Sequence, residues 1–196
     1  MVIRLGKTQS NPFPNVRLEG DRIFLRPPVI EDWRDWAELR EQSRVFLEPW
    51  EPAWPPDAHS RTVFQRRVRR QIQEWRDGAG YSFFFFRQGD ERLLGGIGLS
   101  NVRRGVAQAG TLGYWIGQPF ARLGFTSEAV DSVVRFAFRD LGLHRVEAAC
   151  LPHNEASRRL LRRLGFQEEG YARGYLKIAG HWQDHILHAL LREDRA

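Results

Sequence analysis

The chain has 196 residues, 42% of them apolar and 28% charged, which suits a soluble folded unit with one substantial core and leaves little room for a second. No stretch reaches the run of about 18 apolar residues that a membrane span requires. The opening MVIRLGKTQSNPFPN has neither the apolar segment nor the small-residue cleavage site of a secretory leader, so the cytoplasm is the expected location and no membrane partner is expected.

The formal net charge of +6 comes mostly from arginine, in runs such as RRVRRQ and SRRLLRRLGF. Such faces suit phosphates, yet no aromatic RNA-binding pattern accompanies them, and direct nucleic-acid binding is not expected. The single cysteine, Cys150 in HRVEAACL, excludes an internal disulfide and reads as a core thiol in a reducing compartment.

Residues 1–20, with Pro12 and Pro14, read as a loose arm, and residues 21–196 as one domain. A strand is expected at 23–26 (IFLR) and a helix at 31–41 with Trp33, Trp36, Ala37 and Leu39 on its apolar side. The segment FLEPWEPAWPP reads as a rigid loop braced by four prolines, its Trp50 and Trp54 able to wall a pocket. A second helix is expected over 57–77, burying Val63, Phe64, Val68, Ile72 and Trp75, with arginines outside.

From Tyr81 the period changes to that of an antiparallel meander, YSFFFFRQ, RLLGGIGLSNV and QAGTLGYWIG, with the phenylalanine run buried on both faces. A strand at 112–117 then leads through a turn at Gly124 into an amphipathic helix ending near Leu141. A strand at 144–151, a helix at 154–164 and two strands broken near Ala179 and Gly180 follow. The fold class is therefore α/β, with a mixed α+β sheet, helices on both faces, the order β-α-α-β-β-β-α-β-α-β-β and one parallel βαβ step. That step places the Gly124 turn at the carboxyl end of a strand, where open α/β sheets bind ligands. The unpaired N–H groups of the following helix start would accept an anion there.

This element order, with the glycine turn followed by Asn154-x-x-Ser157 and Leu164-Gly165-Phe166, resembles the GNAT superfamily of N-acetyltransferases over about residues 20–192. FLEPWEP, LSNVRRG, LHRVEAACLPHNEASRRLLRRLGF and EGYARGYLKIAGHWQDHIL are similar to its ribosomal-protein-alanine N-acetyltransferases, the RimJ/RimL type. The resemblance implies a GNAT acyl-CoA N-acyltransferase fold and acetyl transfer from acetyl-CoA to an amine, without a metal.

It also implies that the coenzyme diphosphate is held by the turn at Arg122, Leu123, Gly124, Phe125, Thr126 and Ser127. The thioester arm would lie along Tyr114, Trp115, Ile116 and Gly117, with Asn154 contacting the pantetheine and Ser157 a candidate acid for the departing thiolate. The family pattern Gln/Arg-x-x-Gly-x-Gly/Ala is altered here to Ala121, Arg122 where many members have glycine, and Thr126. That departure bears on affinity, and an arginine at the rim could pair with a phosphate. Glu128 and Asp131 would repel phosphate and are expected to point away from it.

For the proton of the attacking amine, Glu51 is the candidate base, with arginine pairing or helix capping as its alternative role. Asp184 is the reserve and Tyr175 a second proton donor. Ser157 could equally be a first-turn residue of a helix capped by Asn154. The spacing H-x-x-D-H at His181, Asp184 and His185 resembles a zinc motif only on a helix; here the segment alternates as a strand, so no metal site is expected.

The acceptor implied is a protein or peptide amino terminus, a ribosomal protein among the candidates. A small amine (antibiotic, polyamine or aminoacyl conjugate) and a non-catalytic CoA- or RNA-binding module are the alternatives. An acidic acceptor groove would favour polycationic amines, and a neutral-to-basic one a peptide end. Monomer and homodimer both stay open.

Overall fold

The structure is a computed structural model that describes residues 16–195. Strand β1 (Leu18–Glu19) pairs antiparallel with β2 (Ile23–Arg26), so the last residues of the expected arm are drawn into the sheet; the rest of that arm lies largely outside the described residues. Helix α1 (Trp33–Gln42) is followed by a short helix α2 (Arg44–Leu47) and a single 3-10 turn at Glu48–Trp50. The proline-rich loop is thus partly helical, because Pro49 stands in the first turn, where its missing N–H costs nothing. Helix α3 (Arg61–Asp77) starts four residues later than expected, where the Ser60 hydroxyl accepts from the Val63 N–H at 3.3 Å and caps it.

Strands β3 (Tyr81–Arg87), β4 (Leu93–Arg103) and β5 (Ala109–Ile116) form the meander. Helix α4 (Phe125–Arg139) crosses over to β6 (Arg145–Cys150). Helix α5 (Glu155–Arg163) leads into the ribbon β7 (Gln167–Ile178) and β8 (His181–Leu191). The eight strands form one mixed sheet in the order β1-β2-β3-β4-β5-β6-β8-β7.

Side chains alternate across a strand, so Phe83 of β3 packs on Phe136 of α4 while Phe84 packs on Phe64 of α3, and helices cover both faces. Phe83 to Phe86 are all buried, as a strand covered on both sides requires. Each such ring stabilises the fold by roughly 1.5–3 kcal/mol. Cys150 is a buried free thiol, pushed up from its ordinary pKa by burial.

The parallel contact of β5 with β6 is short. It runs from Ala109 opposite Arg145 to Leu112 opposite Ala148 and then stops. Beyond it, Gly113 to Ile116 pair only with β4, and Ala149 and Cys150 only with β8. The sheet therefore opens into a slot at the carboxyl ends of β5 and β6, beside the start of α4.

Candidate active site

At that start, Gly124 is the N-cap of α4 with φ 87°, a left-handed conformation that favours glycine, and Arg122 shares the left-handed region at φ 64°. Alternating backbone of this kind turns successive N–H groups to one side and makes an anion cradle. Among the described residues, the N–H groups of Arg122, Leu123, Gly124, Phe125 and Thr126 have no hydrogen-bond partner. The Ser127 N–H is different: it closes back on the Gly124 carbonyl at 3.0 Å, and the Ser127 hydroxyl accepts from Arg163. Ser127 therefore leaves the set of free backbone donors expected from sequence, and the cradle ends at Thr126.

Two contacts that no sequence pattern signalled shape this turn. Arg22, just before β2, donates to the Leu123 carbonyl at 3.1 Å and lies over the Phe125 ring at 4.7 Å. It also takes Glu128 through its Nε at 2.5 Å and its backbone N–H at 3.0 Å. Asp131 is held by Arg135 and Arg195, both at 2.5 Å. Both carboxylates near the cradle are thus paired with arginines, which offsets the repulsion that they would exert on a phosphate.

Along the slot, Gly117 donates its N–H to the Leu94 carbonyl at 2.8 Å. Backbone groups alternate sides along an antiparallel pair, so the N–H groups of Tyr114 and Ile116 face the slot while those of Trp115 and Gly117 face β4. Gly117 and Trp115 therefore offer the slot no backbone donor, a correction to the strand-wide expectation. The Trp115 ring covers Gly96, where an added Cβ would lie 2.4 Å from its Nε1.

Tyr114 reaches across to α5, where its hydroxyl and that of Ser157 lie 2.7 Å apart. Burial pushes the Tyr114 phenol up to about 12, so it stays protonated and keeps a hydrogen to share. Asn154 caps α5 by accepting from the Ser157 N–H at 3.1 Å, which joins both readings of this serine: it sits in a capped first turn and its hydroxyl faces the slot. Cys150 at the end of β6 also borders Ser157.

Glu51 is not a free carboxylate. Its oxygens accept from both terminal nitrogens of buried Arg40 and from Trp54 Nε1 at 2.9 Å, which is the arginine-pairing role. Its carbonyl accepts from Ala179 at 2.8 Å, so the β7–β8 turn is docked on this loop, and Trp50 packs on His153 at 5.5 Å. Asp184 belongs to the ribbon. It accepts from the Tyr171 hydroxyl at 2.6 Å and the Gly174 N–H at 2.7 Å, bonds that hold its carboxyl below the usual range. Tyr175 stacks edge-on against His185 at 5.6 Å, and its hydroxyl has no hydrogen bond among the described residues. The structure therefore brings Tyr114, Ser157 and Asn154 together at the slot, and sets Asp184 and Tyr175 apart on the β7–β8 ribbon.

Over the α3 face of β4 and β5 lies a cleft of about 370 Å³, lined by Glu51, Arg67, Gln71, Gly98, Gly113 and Trp115 among others. Among the described residues no group of three or more His, Cys, Asp or Glu side chains is placed to hold a metal ion, and no helix is long and apolar enough to cross a membrane.

The family model described as "Acetyltransferase (GNAT) domain" matches residues 22–167. The [Ribosomal protein uS5]-alanine N-acetyltransferase of Escherichia coli (strain K12) is 37% identical over 183 residues, 92% of this chain and 93% of that protein. Among solved structures, the ribosomal-protein-S5-alanine acetyltransferase of Vibrio fischeri superposes with a TM-score of 0.85 at 28% identity, covering 92% of this chain and 98% of the other. RimJ of Mycobacterium smegmatis, solved with CoA-disulfide, gives a TM-score of 0.84 at 30% identity over 91% of this chain and 87% of its own.

Proposed function

Because the chain belongs to the GNAT family and is an acetyl-CoA-dependent N-acetyltransferase, we propose that its acceptor is the α-amino group at the start of a protein or peptide, with ribosomal proteins as the first candidates. The observation that carries this choice is the lining of the cleft beside the slot. Its two carboxylates, Glu51 and Glu74, are matched in number by Arg67 and Arg70, and Glu51 is claimed by Arg40 from outside the lining, so the cleft lacks the acidic wall that would favour a polycationic amine. The relatives named for alanine at the start of a ribosomal protein support the same reading. The cytoplasm is the proposed site of action, with which a lone buried thiol is compatible.

The residues present fit the coenzyme. The free N–H groups of Arg122 to Thr126 would hold its diphosphate, helped by the positive end of the α4 dipole, and those of Tyr114 and Ile116 would meet its arm. Acetyl-CoA, when bound, supplies an acetyl carbon already activated as a thioester. An α-amine with a pKa of about 8 is roughly one-tenth neutral near pH 7, so a strong base is unnecessary and positioning does most of the work. The slot-facing N–H groups would polarise the thioester carbonyl. Ser157, hydrogen-bonded to the neutral Tyr114 phenol, would hand a proton to the departing thiolate, while water takes the proton that the attacking nitrogen sheds and restores the serine's, directly or relayed through the Tyr114 hydroxyl.

Thiol release from acetyl-CoA, followed with alanine- and serine-starting peptides beside polyamines and an aminoglycoside, tests the proposal. Turnover restricted to peptides is expected; turnover restricted to the small amines would overturn it.

A further inference from the structure

The cleft over β4 and β5 contains polar groups that the fold leaves without partners. Its lining carries two guanidinium groups, Arg67 and Arg70, and two carboxylates, Glu51 and Glu74, while Arg40 reaches Glu51 from outside the lining. Arg40 pairs with Glu51, and Arg70 reaches Glu74 at 3.4 Å. Arg67 has no acidic partner among the described residues; its guanidinium lies near the Trp36 ring at 5.8 Å, and its Nε is buried with no hydrogen bond. Burial and the neighbouring Arg40 and Arg70 push Arg67 down to about 10, outweighing the opposite pull of Glu51 and Glu74.

One turn further along the same face of α3 is Gln71, 5% exposed, whose Oε1 is buried and also lacks a donor. Two unsatisfied polar groups side by side in a folded protein are costly, and a cleft is where a ligand can relieve that cost. Arg67 offers a forked donor that matches a carboxylate, and Gln71 Oε1 offers an acceptor that matches an amide or amine N–H. The floor beneath them is bare backbone at Gly98 and Gly113, and an added Cβ at Gly113 would meet nothing within 4 Å.

We infer that Arg67 and Gln71 form an acceptor subsite for a peptide carrying an acidic side chain within its first three residues, Arg67 taking the carboxylate and Gln71 a main-chain N–H. This rests on the peptide-acceptor reading above and adds a sequence preference to it. It also gives Arg67 the carboxylate that the fold does not: the acid of the correct acceptor pairs with it, whereas a lysine-rich start is disfavoured.

The test compares three peptides that differ only after the first alanine, with Glu-Glu, Gln-Gln or Lys-Lys at the second and third positions. Wild-type enzyme is expected to acetylate the Glu-Glu peptide with kcat/KM at least tenfold above the Gln-Gln peptide, the difference residing in KM, and the Lys-Lys peptide least. Arg67→Gln should lower kcat/KM for the acidic peptide about tenfold more than for the neutral one, and Arg67→Lys should restore part of the difference. Calorimetric titration of the acidic peptide reads the subsite without turnover and should show binding weakened about tenfold in Arg67→Gln. Equal treatment of the Glu-Glu and Gln-Gln peptides by wild-type enzyme overturns the subsite while leaving peptide acetylation standing. Failure to acetylate any peptide while small amines turn over overturns the broader reading instead. The wild-type comparison needs no variant, so it decides even if Arg67→Gln folds poorly.

Discussion

The Arg22 guanidinium donates to the Leu123 carbonyl at 3.1 Å, joining positions 101 residues apart. Because a trans peptide points its C=O and the next N–H in opposite directions, anchoring this carbonyl turns the Gly124 N–H outward into the cradle. The same side chain pairs with Glu128 and so offsets a negative charge beside the cradle. Arg22→Ala should therefore weaken acetyl-CoA binding about tenfold in a calorimetric titration, and Arg22→Lys by less. An unchanged affinity in the alanine variant would remove Arg22 from the cradle.

At Gly124 the backbone φ of 87° and a Cβ position 3.0 Å from Arg22 Nη2 both oppose a side chain. Gly124→Ala is expected to cost about 1–2 kcal/mol of stability in urea unfolding, with a larger relative loss of coenzyme affinity. Arg122 occupies the same region at φ 64°, so Arg122→Gly relieves strain but frees the unfolded chain. The two effects are each of order 1 kcal/mol and should nearly cancel in stability, while loss of the rim cation lowers affinity.

The order of long elements was readable because each carried its own period: 3.6 in the helices, and a continuous apolar run in β3, whose two faces are covered. Gly124 was readable as a turn for the same local reason. What escaped were contacts set by tertiary approach. Nothing near Arg22 in sequence points to Leu123, and nothing near Arg40 announces that it claims Glu51. The strand register, which decides that Tyr114 and Ile116 rather than Gly117 face the slot, depends on the β4 pairing and cannot be read from β5 alone.

Ser157→Ala should lower kcat by ten- to a hundredfold with little change in KM for acetyl-CoA if its hydroxyl protonates the thiolate. Tyr114→Phe should show a smaller loss. With Tyr114 held near 12, the pH–rate profile should rise with deprotonation of the acceptor amine near pH 8 and show no falling limb from this phenol up to about pH 10. A Ser157→Ala enzyme with full kcat would assign the proton to water.

The Arg40–Glu51 pair joins a buried guanidinium, its side chain 8% exposed, to a carboxylate 20% exposed. Breaking it leaves the arginine charge unmatched, so Glu51→Gln should cost about 2–3 kcal/mol in urea unfolding. The double variant Arg40→Met with Glu51→Gln should recover part of that loss. Additive losses in this cycle would show that the two groups do not act as a pair.

His188 lies in β8 between Ala148 and Glu168, almost fully buried, and burial holds its pKa below the ordinary 6.5; His59 is shifted the same way, also chiefly by burial. Their neutral forms are favoured in the folded chain, so the unfolded chain takes up protons first as pH falls. Stability should be full above about pH 6.5 and decline below it, by at most about 1.4 kcal/mol per pH unit for each group. Carboxylates with lowered values, such as Asp90 and Glu169, add their loss only nearer pH 4. His188→Leu should flatten the slope between about pH 6.5 and 5 in pH-dependent thermal unfolding, leaving the share due to His59.

The early end of the β5–β6 ladder at Leu112 and Ala148 means that the protein withholds part of its own sheet. A guest whose spine alternates amide donors and acceptors would fill the gap as an interloping strand, extending between the sheet's two halves a β5–β6 ladder that holds four residue pairs among the described residues. Saturation with coenzyme should then slow deuterium uptake at Tyr114 and Ile116 and raise the melting temperature of both halves together, so the enzyme at rest would be an unfinished fabric that its own substrate completes.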